Sequence, residues 1–62
     1  MNSGKIIKIS GPVIDVEFKD GKLPRIMEAL EVMTDAGKKI MEVQQHVSGT
    51  VVRAVILSES DG

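Results

Sequence analysis

The chain has no cysteine, tryptophan or tyrosine, and among its 62 residues only one phenylalanine and one histidine. Each absence removes a class of answer. Without Cys, neither a disulfide framework nor a thiolate zinc site can supplement a small core. A lone His46 leaves no histidine cluster to staple the fold with metal. A lone aromatic, Phe18, cannot form the stacking platform of a single-strand nucleic-acid binder. Eight basic residues are mixed with nine acidic ones, so the basic footprint of a nucleic-acid protein is missing as well. No apolar run is long enough to cross a bilayer as a helix, and no signal-peptide layout is visible. No G-x-x-x-x-G-K-[ST] loop occurs, so nucleotide phosphates have no P-loop cradle.

What remains is a short chain with an alternating pattern. About 60 residues make one domain at most, and such a domain buries only ~60% of its unfolded surface. The expectation is a single domain over 1–62, with flexible ends at 1–3 and 58–62. Apolar residues recur mostly at period two, the mark of half-buried strands. Ile7 and Ile9 share one face of the first run, and Ile14, Val16 and Phe18 share a face of the next. Inward parity therefore changes from odd to even across Gly11-Pro12, a pair suited to a strand break or bulge. Asp20-Gly21 and Asp35-Ala36-Gly37 read as turns.

Residues 23–33 carry two patterns. Leu23, Ile26, Met27, Leu30 and Met33 follow helical spacing, which is slightly the better fit. A turn around Pro24 to Met27 followed by a strand from Ala29 to Met33 is preferred, because a helix would leave a barrel one strand short. From Lys39 to Val47, Met41, Val43, Gln45 and Val47 share a face, opposite Ile40, Glu42, Gln44 and His46. Ser48-Gly49 reads as a two-residue hairpin loop. The last run, Thr50 to Leu57, is apolar on both faces, with Val51, Val55 and Leu57 flanking Arg53. A strand apolar on both faces needs cover on its second face. Val51, Arg53, Val55 and Leu57 are therefore the candidate interface.

Chemistry is sparse. Asp15 and Glu17 share an outward face, but active carboxylates need a cleft to tune them. His46 has no nucleophile beside it, and by parity its nearest acidic neighbour is Glu42. Arg53 calls for a carboxylate partner across the sheet, and Glu42 on the adjacent hairpin strand is the expected one. Met27, Met33 and Met41 read as gap fillers. No catalytic, cofactor-binding or metal residues are assigned, and no small-molecule ligand is expected.

The strings are more distinctive than their chemistry. Gly4-Lys5-Ile6-Ile7-Lys8-Ile9-Ser10-Gly11-Pro12-Val13-Ile14-Asp15-Val16-Glu17-Phe18 resembles the opening strands of the amino-terminal β-barrel of F-type ATP synthase β subunits. Gly21 to Ile26 and Ala29-Leu30-Glu31-Val32 are similar to the segment that follows. Glu42 to His46 and Val51-Val52-Arg53 resemble the next hairpin. The Gln44-Gln45-His46 run fits the β subunit better than the α paralogue. The resemblance spans about Ser3 to Leu57. Met27, Met33, Met41 and Ile56-Leu57 depart from the family pattern.

The resemblance implies an all-β fold: a small closed Greek-key barrel, six-stranded and antiparallel, completed by self-association or strand exchange if an edge stays open. It implies a non-catalytic assembly role in a crown of alternating α and β barrels, with catalysis in a nucleotide-binding domain outside this sequence. The partners implied are neighbouring α/β-type barrels or further copies of this chain. The location implied is a peripheral complex on the cytoplasmic face of a bacterial plasma membrane, or its organelle equivalent, without membrane insertion. The alternatives are a stand-alone small-barrel module for nucleic acid or protein, by analogy of fold alone, and an engineered barrel with no natural partner.

Overall fold

The structure is a computed structural model that describes residues 3–57. The expectation of flexible ends falls largely on residues 1–2 and 58–62, outside the described residues. Five strands follow one another: β1 (Lys5–Ser10), β2 (Val13–Glu17), β3 (Ala29–Thr34), β4 (Gly37–His46) and β5 (Val51–Ile56). They form one antiparallel sheet in the order β1-β2-β5-β4-β3. β5, β4 and β3 are joined by successive reversals, and β2 lies beside β5 through the long connection to β3. That is the Greek-key arrangement. The all-β, antiparallel small-barrel expectation therefore holds. Of six implied strands, five occur among the described residues, and β1 and β3 do not touch.

The turns follow their residues. Ser10 pairs with Val13, so Gly11 and Pro12 are the two central residues of a hairpin. Gly11 has φ +60°, which suits the first central position of a II′ turn. A two-residue turn makes odd residues face even ones, as in Ile9 opposite Ile14. The parity change thus comes from the turn itself, not from a bulge at Gly11-Pro12. The second hairpin turns at Asp35-Ala36, where the Thr34 hydroxyl donates to the Gly37 carbonyl at 2.7 Å and accepts from Ala36 N–H at 3.1 Å.

The ambiguous segment resolves as turn and strand. Glu28 N–H bonds to the Arg25 carbonyl at 3.0 Å, and Met27 sits at φ 74°. That is type II geometry, which usually takes Gly at this position. Met27 N–H reaches the Val43 carbonyl at 2.6 Å, and Val43 N–H reaches the Glu28 carbonyl at 3.0 Å. These bonds to β4 hold the turn in place of a helix. Ile26, Met27 and Met33 stay exposed, so of the helical stripe only Leu23 and Leu30 pack against the core.

Two bulges override local alternation. In β1 the register shifts between Ile6 and Lys8, so Ile6 lies opposite Val16 while Ile7 is the extra residue. Ile6 and Ile9, rather than Ile7 and Ile9, share the core side. In β4 the shift falls at Gln44. Gln45 then lies opposite Arg53 on the outer face, and His46 opposite Val52 on the core side. The expected grouping of Gln45 with Met41 and Val43 fails at that bulge. The loop to β5 is also longer than Ser48-Gly49: Val47 and Ser48 N–H both bond to the Val51 carbonyl.

The core is built from alternate residues of the inner three strands. Ile14 and Val16 come from β2, Met41 and Val43 from β4, Val52 and Ala54 from β5, and Phe18 follows β2. Leu23, Leu30, Val32 and Ile56 pack around them. Gly4 lies against this cluster. A Cβ there would come within 2.6 Å of Val16 and 2.8 Å of the Phe18 ring, so any side chain would have to displace the core.

Candidate functional site

β5 is the middle strand of the sheet, and its two faces differ. Val52 and Ala54 point into the core and are fully buried. Val51, Arg53 and Val55 point outward and are half-buried, while Leu57 is 56% exposed beyond the strand end. Val55 lies opposite Val13 on β2 and Glu42 on β4. The outer face therefore has a band of valines around one arginine.

Arg53 lies opposite Asp15 on β2 and Gln45 on β4. Its Nε donates to Asp15 Oδ1 at 2.9 Å, and a terminal guanidinium nitrogen donates to Asp15 Oδ2 at 3.1 Å. This two-point fork is the strong form of an ion pair. Asp15 is the buried charged residue of the sheet, while the Arg53 side chain keeps about two-fifths of its surface in solvent. The hydrogen bond from Arg53 holds the Asp15 carboxyl below its ordinary value. Burial opposes this, and the charges of Arg53 and of Lys8, opposite Asp15 on β1, reinforce it. Asp15 in turn raises Arg53 above its own ordinary value. Lys8, Ser10, Val13, Asp15 and Arg53 line a cleft of about 350 Å³ over this row.

The expected Glu42–Arg53 pair does not form. Register places Glu42 beside Val55, and its carboxylate accepts from the Gln44 amide at 3.2 Å. Asp15 takes its place from a strand 38 positions away, a pairing that only the β2–β5 ladder creates. The sequence placed Asp15 on the outward face but did not link it to Arg53, and Asp15 is buried there.

His46 is fixed by its surroundings. Its Nε2 donates to the Pro24 carbonyl at 2.7 Å. Pro24 is buried, so this bond pins the long β2–β3 connection to the end of β4. The imidazole is a structural clamp here. Sequence alternation put it on the opposite side because it did not foresee the bulge at Gln44. Among the described residues no group of three His, Cys, Asp or Glu side chains converges to hold a metal ion.

The outer face of β5 holds the four residues expected from the sequence as an interface, Val51, Arg53, Val55 and Leu57. It offers apolar area, one oriented ion pair and no reacting groups. The family model described as the ATP synthase alpha/beta family, beta-barrel domain, matches residues 6–62. The chain belongs to the ATP synthase alpha/beta family. Its match is to the barrel domain of that family, in agreement with the antiparallel Greek-key sheet. Membership of the ATP synthase alpha/beta family implies association with other subunits of such a complex. No helix among the described residues is long and apolar enough to cross a membrane.

Proposed function

We propose that this chain is a β-subunit-type barrel whose work is assembly rather than catalysis. The observation that carries the reading is the outer face of β5. Val51 and Val55 lie on the central strand beside a bidentate Arg53–Asp15 pair, and among the described residues nothing covers them fully. Half-buried valines around an oriented arginine match the make-up of interface cores, where apolar residues and Arg are favoured over Lys and Glu. Leu57 extends the patch past the end of the strand. The Gln44-Gln45-His46 run favours the β over the α type. The natural setting of such a barrel is a ring of alternating barrels in a peripheral complex at the membrane surface, on the cytoplasmic side in a bacterium, or the organelle equivalent.

The decisive experiment measures binding to an α-type barrel of the same family. Val55→Asp places an unpaired charge in the apolar band, and Arg53→Met removes the fork. Each is expected to weaken association about tenfold or more, the size of a modest interface contact. Equal binding by both variants and the parent chain would remove the β5 face from the interface. Mg-dependent ATP turnover by the 62-residue chain would overturn the non-catalytic reading.

A further inference from the structure

The cleft over Asp15 is rich in hydrogen-bond donors, and its carboxylate is already engaged. Lys8, Ser10, Val13, Asp15 and Arg53 line its volume of about 350 Å³. They come from three adjacent strands, because Lys8 lies opposite Asp15 and Asp15 opposite Arg53. Both Asp15 oxygens accept from Arg53, Oδ1 from Nε and Oδ2 from Nη2. That fork uses only part of the guanidinium, which carries N–H groups on every nitrogen. Nη1 makes no hydrogen bond among the described residues, and neither do the Lys8 ammonium and the Ser10 hydroxyl.

Charge narrows what fits there. Lys8 and Arg53 are cations and Asp15 is an anion, so the lining keeps a single net positive charge. In the neighbouring row Lys5 lies opposite Glu17, which adds none. Glu42 lies on the far side of β5, beside Val55 and outside the lining, and accepts from Gln44. A singly charged carboxylate therefore neutralises the lining. A phosphate dianion would reverse its sign beside the buried Asp15, where unbalanced charge is costly. A carboxylate also has two oxygens, one for Arg53 and one for Lys8. Its methylene stem finds an apolar wall in Val13, with Val55 opposite on β5.

We propose that this cleft receives one aspartate or glutamate side chain of the protein that docks on β5. The carboxylate bridges Arg53 Nη1 and Lys8 Nζ, with Ser10 as a further donor. Docking strengthens the contact, because a charge pair closed off from water is less screened. The site rests on the assembly reading of β5, since the side chain arrives with a docked partner. It also gives the face a specificity that valines alone lack. A partner with a lysine or no charge at this point leaves Arg53 and Lys8 unanswered.

The test has two arms, and Lys8→Gln serves both. It leaves the valine band and the Arg53 fork in place, so it reads the cleft apart from the rest of the face. Lys8 is exposed, so the substitution leaves the core intact. The first arm titrates the chain with acetate, against sodium chloride at equal ionic strength, and follows the Arg53 Nε–H and the Ser10 amide by NMR. Acetate is expected to shift both saturably. Lys8→Gln is expected to weaken that response about threefold, and Lys8→Arg to retain it. A response no larger than that to chloride would overturn the site, and so would tighter binding of inorganic phosphate than of acetate. The second arm measures binding of an α-type barrel of the same family. Lys8→Gln is expected to weaken it about fivefold and to flatten its salt dependence, with Lys8→Arg close to wild type. Equal binding by wild-type and Lys8→Gln chains would overturn the partner as the source of the carboxylate. A wild-type chain that does not bind the barrel would overturn the assembly reading and that source together, while the acetate arm still decides the site. Tighter acetate binding after Glu59→Gln combined with Asp61→Asn would assign the cleft to the chain's own acidic end, and would likewise overturn the partner as occupant.

Discussion

β1 and β5 are both six-residue strands, KIIKIS and VVRAVI, and both are rich in β-branched residues. Every residue of β1 is exposed, whereas every residue of β5 is buried or half-buried. β1 holds three isoleucines, each larger than any apolar residue of β5 except Ile56. Hydrophobicity of the string therefore does not set burial here. Place in the sheet does: β5 has neighbours on both sides and β1 on one. The same contrast applies to charge. Arg53 in the centre finds a buried carboxylate within 3 Å, while Lys5 and Lys8 at the edge face outward beside an unpaired ladder.

The sharpest way to break this comparison is to delete methyl groups in the centre. Val52 is fully buried, so Val52→Ala is expected to cost about 2 kcal/mol through lost transfer energy and the cavity left behind. For a chain of this size that is a large part of a total of roughly 3–9 kcal/mol. Urea denaturation followed by circular dichroism measures it. An unchanged midpoint would mean that the centre of the sheet is not the packed region described here.

The next effect depends on pH. Arg53 holds the folded-state pKa of Asp15 below that of the unfolded chain. The pair's contribution is therefore present above the unfolded carboxylate value, ~3.9, and is lost as pH falls through the lower folded value. Comparing the wild-type chain with Arg53→Met from neutral pH into acid should show a stability gap that narrows over that range. A gap of constant width would assign the effect to packing of the arginine stem instead.

The smallest effect is expected at the edge. Ile9→Ala removes more apolar volume than Val52→Ala, but from a side chain two-thirds exposed. At concentrations where the chain is monomeric, its cost should stay within about 0.5 kcal/mol, as for other surface substitutions. A loss as large as that of Val52→Ala would show that β1 is as well packed as β5.

Much of this was legible in the residues. Alternation located the strands, and Asp20-Gly21 and Asp35-Ala36-Gly37 located turns, whereas Gly11-Pro12 was read as a strand break and is a hairpin turn. The two apolar faces of β5 marked it as the strand needing cover on both sides. The ordered strings resembling ATP synthase β subunits pointed to the barrel family that the chain proved to belong to. The bulges at Ile7 and Gln44 were not legible, because a bulge is a disagreement between two strands, and alternation reports on only one. That single extra residue in β4 moved Gln45 to the outer face and swung His46 toward Pro24. The partner of Arg53 was hidden for a related reason. Glu42 is near in sequence on the hairpin, but Asp15 is opposite in the ladder.

By itself the sequence determined which segments extend and where most of the reversals fall. Those properties come from backbone preference and residue chemistry, which are local. The tertiary structure alone decided which strand became central, which isoleucines stayed in solvent, and which carboxylate met Arg53. Those outcomes depend on pairings between residues as much as 38 positions apart, whose register local preference does not set.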